Sequence, residues 1–230
     1  PEATCGEVGK NTIKLDSGES SSAVLQGFTI QNGRDERGGG IRINSSASLK
    51  NLIIKDNRSS GKGGGIKVDG GSPVIESVSI YENSGSAGGG IAISGSGSNV
   101  IIKNSRITNN TGGSGSEKAG GIHVNSSTLT LMNCTVSNNT DEGLYHRVES
   151  TITVTNSIFW GNGGDEIKER GTVPGTVSVT YSDIDGGYTG TGNINSDPFF
   201  VNASGDDYSL QNYSPAIGAG TTSGAPSTDI

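Results

Sequence analysis

The chain has 230 residues, a formal net charge of −7 and a hydrophobic content of 30%. An acidic chain is poorly suited to bind nucleic acid, and no apolar run approaches the roughly 20 residues of a membrane span. We therefore expect no nucleic-acid partner and no membrane span, and the length is ordinary for one all-β domain.

The first 22 residues precede the regular part of the chain. They contain a strand-like stretch at residues 12–15 and one of the two cysteines, Cys5. The chain starts abruptly at Pro1 without a signal peptide, so we interpret it as a fragment or a processed form of a secreted or cell-surface protein. We predict an N-terminal coil or cap fragment over residues 1–22.

A glycine-rich unit that ends in isoleucine recurs from residue 38 onward. It reads Gly-Gly-Gly-Ile at 38–41, 63–66 and 88–91, and degenerates to Ala-Gly-Gly-Ile at 119–122. The isoleucines at 41, 66, 91 and 122 repeat at intervals of 25, 25 and 31 residues, and the series continues through Leu144 and Ile167. This period, tolerant of insertions, is typical of solenoids.

Within each unit the apolar residues alternate, as Ile41 and Ile43 do, which indicates short strands and no helix. Strands that pair in parallel with their counterparts in the next repeat form a parallel β-helix. We predict repeat coils over residues 23–184 and a C-terminal cap over residues 185–230, all in one domain. A narrow solenoid needs only a few inward side chains per coil, so the low hydrophobic content is sufficient.

Asparagines recur at a fixed place after the later strand of the repeat: Asn57, Asn110, Asn139 and Asn162. Asparagine suits a corner because it tolerates the left-handed region and bonds local backbone. Stacked amides can also bond one another from coil to coil. Glycine supplies the other corners, where φ is positive or where neighbouring coils pass close together.

The second cysteine, Cys134, falls in a column of positions that we predict to point inward: Leu52, Val78, Ser105, Cys134 and Ser157. Cys5 lies far away in the N-terminal segment. Two such cysteines do not form a disulfide framework, and we predict that both are free thiols.

Several segments together carry a resemblance to a known family. They are 20–33, the glycine–isoleucine units with their asparagine corners, 157–162, 181–200, 207–210 and 214–217. These segments resemble the right-handed parallel β-helix repeat proteins of large secreted or surface-anchored bacterial proteins, which share the pectate-lyase-like fold. The repeats are also similar to those of chlamydial polymorphic surface proteins. The resemblance implies the fold, whereas family members include polysaccharide lyases, adhesins and proteins without assigned activity.

The resemblance also implies that the chain from about residue 181 closes the solenoid over its last coil. An open end exposes apolar core and unpaired strand edges, so a cap prevents end-to-end association. We interpret the aromatic residues of this segment as packing within the cap: Phe199, Phe200, Tyr208 and Tyr213.

One outward column stands out, formed by the residues that follow the repeated isoleucine: Arg42, Lys67, Ala92, His123, Tyr145 and Lys168. A mostly basic column on an acidic protein is unfavourable between paired strands, which favours a role in binding an anionic glycan. The alternative is that carboxylates such as Asp69 and Glu169 neutralise the column. His123 and Tyr145 also suggest a proton-transfer pair, although no carboxylate or cation is fixed beside them by spacing, and we predict no catalytic residue. His146 is expected to point the opposite way from Tyr145.

A second outward column follows the apolar residue of the later strand: Lys55, Tyr81, Thr108, Ser137 and Trp160. Exposed aromatic rings on a rigid sheet provide platforms for sugar rings. Trp160 is adjacent to Phe159, and a register shift of one residue would bury it instead, so both orientations remain open.

Two further features bear on function. Insertions between repeats collect at one corner, at 34–37, 58–62, 84–87, 111–118 and 165–166, which is where solenoids place binding loops. Asp183, Asp185 and Asp197 fit no calcium-loop spacing, so we predict no metal and no cofactor, with a structural calcium ion as the alternative left open.

The sequence favours a non-catalytic extracellular module for polysaccharide binding or adhesion, expected to be a monomer. The alternatives are a polysaccharide lyase or hydrolase domain acting on an anionic glycan, and a structural spacer. An enzyme requires a convergent base and carboxylate-neutralising residues, a binder requires an exposed basic or aromatic strip, and a spacer requires neither.

Overall fold

The chain winds into seven stacked coils in a computed structural model that describes residues 13–115, 117–147, 149–171 and 175–223. Each coil contributes one short strand to each of three seven-stranded sheets, and neighbouring coils pair in parallel. This architecture confirms the predicted parallel β-helix. Among the described residues no α-helix occurs, and a single 3-10 turn spans Ala203–Gly205.

The three sheets follow one another within every coil, and coils are numbered 1 to 7 from their sheet 1 strands. Sheet 1 contains Ile13–Leu15, Ile41–Asn44, Ile66–Gly70, Ile91–Ser94, Ile122–Asn125, Leu144–Arg147 and Ile167–Arg170. Sheet 2 contains Val24–Gln26, Ser48–Lys50, Val74–Glu76, Asn99–Lys103, Thr128–Met132, Thr151–Thr155 and Thr176–Thr180. Sheet 3 contains Thr29–Gln31, Ile53–Lys55, Ser79–Tyr81, Arg106–Thr108, Thr135–Ser137, Ile158–Trp160 and Asp183–Ile184.

The core consists of like residues stacked on like. The repeated isoleucine pairs with itself from coil to coil, as Ile41 does with Ile66 and Ile66 with Ile91. Because strand side chains alternate between the two faces, each strand sends only one or two residues inward. A long, thin apolar column therefore replaces the single globular core of an ordinary domain.

The corner between sheets 2 and 3 is a single residue in the left-handed region in coils 2 to 7: Asn51, Ser77, Asn104, Asn133, Asn156 and Tyr181. The residue that follows each of these from coil 2 to coil 6 is buried, as predicted for the inward column that contains Cys134. Cys134 is a free thiol whose pKa burial raises to about 12. Cys5 lies outside the described residues.

The corner after sheet 3 carries a ladder of buried asparagines: Asn57, Asn83, Asn110, Asn139 and Asn162. In the first four, the side-chain Nδ2 donates to the Oδ1 of the next asparagine at 2.8–3.1 Å, and in all five it also donates to a backbone carbonyl. The predicted coil-to-coil amide bonding is confirmed, with Asn83 as a further member.

The predicted insertions at one corner form a short ladder of their own. Arg34–Arg37 pairs in parallel with Arg58–Lys62, and bridges extend this pairing to Ser84 and Thr111. The glycine triplets that follow bring neighbouring coils into close backbone contact before sheet 1 begins.

Only part of the predicted C-terminal cap covers the last coil. Ile194 pairs with Ile184 and Asp183, and Tyr188 packs against the core. From residue 197 the chain instead runs back along the outside of sheet 3, in a segment that we call the tail, residues 197–223. The tail contains an antiparallel ribbon of Phe200–Asn202 and Asp207–Leu210.

Hydrogen bonds attach the tail to three successive coils. Arg106 of coil 4 donates to Asp206 at 2.8 Å, and Asn138 of coil 5 donates to the Tyr208 hydroxyl at 3.0 Å. In coil 6, Asn156 donates to the carbonyl of residue 221 at 2.7 Å. The tail thus flanks the coils, contrary to the prediction that the whole C-terminal segment covers the last one.

The predicted aromatic packing of this segment occurs as two pairs. Phe200 meets Tyr208 edge to face at 5.1 Å, with Tyr208 nearly buried, whereas Phe199 and Tyr213 pair at 5.2 Å on the surface. The described residues contain no helix long and apolar enough to cross a membrane.

Candidate functional site

The predicted basic column of sheet 1 exists in register but is not an exposed strip. Arg42 aligns with Lys67, Lys67 with Ala92, Ala92 with His123, His123 with Tyr145, and Tyr145 with Lys168. Lys67, His123 and Tyr145 are only 2%, 0% and 1% exposed. The expectation of an open basic surface is therefore wrong for these three residues, while Arg42 and Lys168 are half-buried.

Carboxylates neutralise the two ends of this column. Asp69 accepts from Arg42 at 2.7 Å and lies 2.8 Å from the Lys67 ammonium, and Glu142 and Asp165 each lie 3.0 Å from Lys168. The role expected of Asp69 is confirmed, whereas Glu169 accepts instead from the backbone of Gly175.

The Lys67 ammonium uses its three hydrogens on three acceptors. These are the Val68 carbonyl at 2.8 Å, the Ser94 hydroxyl at 2.6 Å and the Asp69 carboxylate. Burial lowers the pKa of Lys67, and the hydrogen bond to Asp69 opposes that shift. With every donor engaged and the side chain covered, Lys67 is held as a structural cation and not as a base facing a substrate.

His123 and Tyr145 stack without exchanging a hydrogen bond. Their ring centroids are 5.5 Å apart and the planes are nearly parallel, at 8°. The two imidazole nitrogens of His123 and the hydroxyl of Tyr145 have no hydrogen-bond partner. Burial lowers the pKa of His123 to about 4, so the ring is neutral at pH 7. The arrangement does not form the suggested proton-transfer pair, and His146 aligns with the inward Val124, as expected.

The second predicted column, on sheet 3, remains outward. Lys55, Tyr81, Thr108, Ser137 and Trp160 align in register. Phe159 lies in the core with no exposure and Trp160 is half-buried on the outer face, which decides between the two orientations left open by the sequence. Thr108 and Ser137 are buried, whereas Tyr81 is half-buried.

The tail and the flank of sheet 3 enclose a cleft of about 690 Å³, which we call the tail cleft. Coils 3 to 7 supply one wall and residues 206–210 and 216–222 supply the other. This volume is within the range of roughly 300–1,000 Å³ that small-molecule sites occupy. Sequence periodicity did not indicate the cleft because the tail lies outside the repeat.

Three buried oxygen atoms on residues that line this cleft have no hydrogen-bond donor: Asn133 Oδ1, Asp183 Oδ2 and Asp206 Oδ1. Asp183 is only 3% exposed, and its other oxygen accepts from the backbone of Ser196. Burial raises the pKa of Asp183, and the nearby charges of Asp197 and Asp185 raise it further. The cleft lining is rich in residues with carboxylate, amide and hydroxyl oxygens, which accept hydrogen bonds, so the cleft suits a ligand that brings several donors.

Arg106 organises the entrance to the tail cleft. Its guanidinium lies 5.6 Å from the Tyr81 ring centroid and 5.4 Å from that of Tyr208, while it also pairs with Asp206. Two aromatic rings thus flank one cation at the edge of a cavity rich in oxygen acceptors. The described residues contain no cluster of three or more potential metal ligands, at Asp183, Asp185 and Asp197 or elsewhere.

A second cavity, of about 420 Å³, lies at the C-terminal end beside Glu166 and Tyr188. Glu166 ends the asparagine ladder: its carboxylate accepts from the Asn162 backbone at 3.1 Å and from the Asn162 amide in a short hydrogen bond. Burial raises the pKa of Glu166 to about 7. The sequence identified this residue only as part of a corner insertion.

Replacing Glu166 with Gln is expected to change how stability depends on pH. The folded pKa of about 7 exceeds the ordinary 4.5, so wild-type stability from this group is present below pH 4.5 and is lost as the pH rises towards 7. Relative to wild type, the E166Q protein should gain on the order of 3 kcal/mol of unfolding free energy between pH 4.5 and pH 8. Denaturant unfolding of both proteins at the two pH values measures this difference.

The wild-type protein must be measured beside E166Q, because His123 changes the free energy of unfolding with pH in the opposite direction. Its folded pKa of about 4 lies below the ordinary 6.5, so its contribution is lost as the pH falls from 6.5 to 4. The control is E76Q, because salt bridges lower the pKa of Glu76 and predict a change of opposite sign. An E166Q difference that stays constant with pH would contradict the prediction.

Comparisons with known proteins agree with this architecture. The family model described as "Right handed beta helix region" matches residues 17–202. Among solved structures, pectate lyase Pel9A is similar with a TM-score of 0.59 and 16% identity, over 78% of this chain. The chain spans about half of that protein, 51% of its length, and so low an identity shows a shared fold alone. Curated protein sequences give no significant match.

Proposed function

Since this chain belongs to the right-handed β-helix family, in which one fold supports unrelated activities, we propose its function from its own surfaces. The domain is a non-catalytic module that binds a neutral polysaccharide in the tail cleft. The observation that carries this proposal is the lining of the tail cleft, which combines the Arg106 guanidinium and the carboxylates of Asp206 and Asp207 with the rings of Tyr181 and Tyr208.

Sugar hydroxyls are suited to these acceptors. Adjacent hydroxyls donate to carboxylate and amide oxygens, and Arg106 offers donors to ring and hydroxyl oxygens of the same ligand. The rings of Tyr181 and Tyr208 also line the cleft and provide apolar surface for a sugar face. An anionic glycan is disfavoured here because Asp183, Asp206 and Asp207 would repel its carboxylates.

The proposal of a non-catalytic module rests on the groups that a lyase would require. A polysaccharide lyase needs an accessible base and a cation that neutralises the substrate carboxylate. Lys67 is covered and fully hydrogen-bonded, and His123 is buried. Arg42 and Lys168 already pair with carboxylates of this chain.

We propose that the module works outside the cell, in a secreted or surface protein. Its polysaccharide ligand is found there, and its buried Cys134 is shielded from an oxidising environment. Protease treatment of intact cells that produce the natural protein tests this proposal, because a surface location predicts cleavage without cell lysis.

Binding is tested by affinity electrophoresis through gels that contain neutral polymers, such as xylan, galactomannan and hydroxyethylcellulose, or the anionic polymers pectate and alginate. We expect retardation by a neutral polymer. D183N should weaken that binding at least tenfold, because a hydrogen bond to a charged acceptor contributes about 1.5–3 kcal/mol. The matched control is D185N, which removes the same charge from an exposed residue outside the tail cleft.

The variants separate the possible outcomes. Equal binding by D183N and wild type would place the ligand elsewhere and reject the tail cleft as its site. Absence of retardation by every neutral polymer would reject polysaccharide binding of this kind and favour a spacer.

A further inference from the structure

A carboxylate from a loop covers the middle of the basic column on sheet 1. Glu117 lies near the end of the longest corner insertion, residues 111–118. It accepts from Lys62 at 3.0 Å and from Arg147 through a short hydrogen bond, and it lies 3.6 Å from His123 Nε2. Sequence spacing did not bring these four residues together, because Lys62 and Glu117 belong to insertions.

The groups around Glu117 come from separate parts of the solenoid. Lys62 lies on the corner strand after coil 2, His123 belongs to sheet 1 in coil 5, and Arg147 to sheet 1 in coil 6. Parallel strand pairing fixes all three backbones. The solenoid therefore places the backbones of Lys62 and Arg147 on either side of one site, whether or not Glu117 neutralises their charges.

The carboxylate in this contact comes from a glycine-rich segment outside the sheets. Glu117 is preceded by Gly112, Gly113, Ser114 and Gly115, which belong to no strand. Glycine-rich segments place few restrictions on backbone conformation. The Lys62 and Arg147 side chains are 36% and 39% exposed, so an incoming ligand can reach both from solvent.

We propose that Lys62 and Arg147, above the unpartnered His123, form a binding site for a carboxylate-bearing ligand, and that Glu117 occupies this site within the same chain. The ligand's carboxylate exchanges for that of Glu117 and takes over its two charge-assisted hydrogen bonds. The His123 imidazole, fully buried with both ring nitrogens unpartnered, forms the floor of the site. This site is separate from the tail cleft and does not depend on its function.

Competition within the chain determines how tightly the ligand binds. A short segment of the same chain holds the Glu117 carboxylate at an effective concentration in the millimolar range or above. An external carboxylate must displace the Glu117 carboxylate, so the wild-type protein binds that ligand weakly. Removing the charge of Glu117 abolishes the competition and leaves the two cations in place, which should strengthen binding at least tenfold.

The test compares E117Q with wild type in titrations against alginate, with dextran sulfate and unmodified dextran as further probes, at low ionic strength. E76Q is the matched control, because Glu76 also bridges two cations, Lys50 at 3.1 Å and Lys103 at 2.9 Å, on sheet 2. Both variants raise the net charge by one and free two cations. We expect tighter alginate binding by at least tenfold in E117Q only, and loss of this gain in the E117Q/R147Q double variant.

Three outcomes would overturn the proposal. E117Q could bind alginate no better than wild type, or E76Q could gain as much, which would indicate a general charge effect. Equal gains for alginate and dextran sulfate would indicate a non-selective anion site and reject the carboxylate class.

A measurement on wild-type protein removes any dependence on how the variants fold. Saturating alginate should release Glu117 and accelerate hydrogen exchange of the backbone amides in residues 112–118. The amides of the buried sheet 1 strand Ile122–Asn125 should remain unchanged. Unchanged exchange in the loop at saturation would contradict displacement of Glu117.

Discussion

Replacing Asn110 with Leu should lower the free energy of unfolding by roughly 3 kcal/mol. Asn110 is the middle member of the buried ladder: its Oδ1 accepts from the Asn83 backbone and amide, each at 3.0 Å, and its Nδ2 donates to Ile80 and Asn139. Leucine has a similar volume but provides no polar atom. The Asn83 backbone N–H would lose its acceptor in an interior that water does not reach.

Denaturant unfolding of N110L measures this effect, and N99L is the control because Asn99 is an exposed strand residue that receives the same substitution. Exposed substitutions usually change stability by no more than about 0.5 kcal/mol. A loss in N110L as small as that in N99L would mean that the ladder contributes little beyond filling space.

Replacing Gly64 with Ala should lower the free energy of unfolding by about 3 kcal/mol, although it adds a single methyl group. A Cβ atom on Gly64 would lie 2.3 Å from the Gly89 carbonyl oxygen and 2.5 Å from the carbonyl group of Ser84. These are backbone atoms of the neighbouring coil and cannot rotate away. The coils would have to separate at the corner where their backbones pair.

The matched substitution is G115A, because a Cβ on Gly115 meets no atom within 4 Å and its backbone does not adopt a positive φ. We expect G115A to unfold at the wild-type midpoint and G64A at a clearly lower denaturant concentration. If G64A matched G115A, the spacing between coils would be more adaptable than close packing implies.

The asparagine ladder, the glycine triplets and the sheet registers share one cause. Each repeat pairs with a copy of itself, so the repeated isoleucines, glycines and asparagines each stack on residues of their own kind. Contacts within these columns therefore stabilise the solenoid. The two candidate binding sites are formed instead by the insertions and the tail, which lie outside the repeat. This separation explains why the variants proposed for stability and for binding involve different residues.

The sequence by itself determined the β-helical fold. When repeats stack in parallel, each residue lies beside the equivalent residue of the next repeat. The repeated isoleucine, the inward column of Cys134, the amide ladder and the alignment of both outward columns all follow from spacing alone. Each depends only on contacts between a residue and its equivalent one coil away.

Only the tertiary structure decided which of those outward positions meet solvent. Lys67, His123 and Tyr145 point away from the core as their spacing predicts, yet they are buried, and Glu117 from the insertion before coil 5 covers part of their column. The tail likewise creates a cleft along sheet 3 by contacting residues that are 65 to 100 positions earlier in the chain. Contacts between segments without a common period leave no trace in the repeat, because no regular spacing relates their residues.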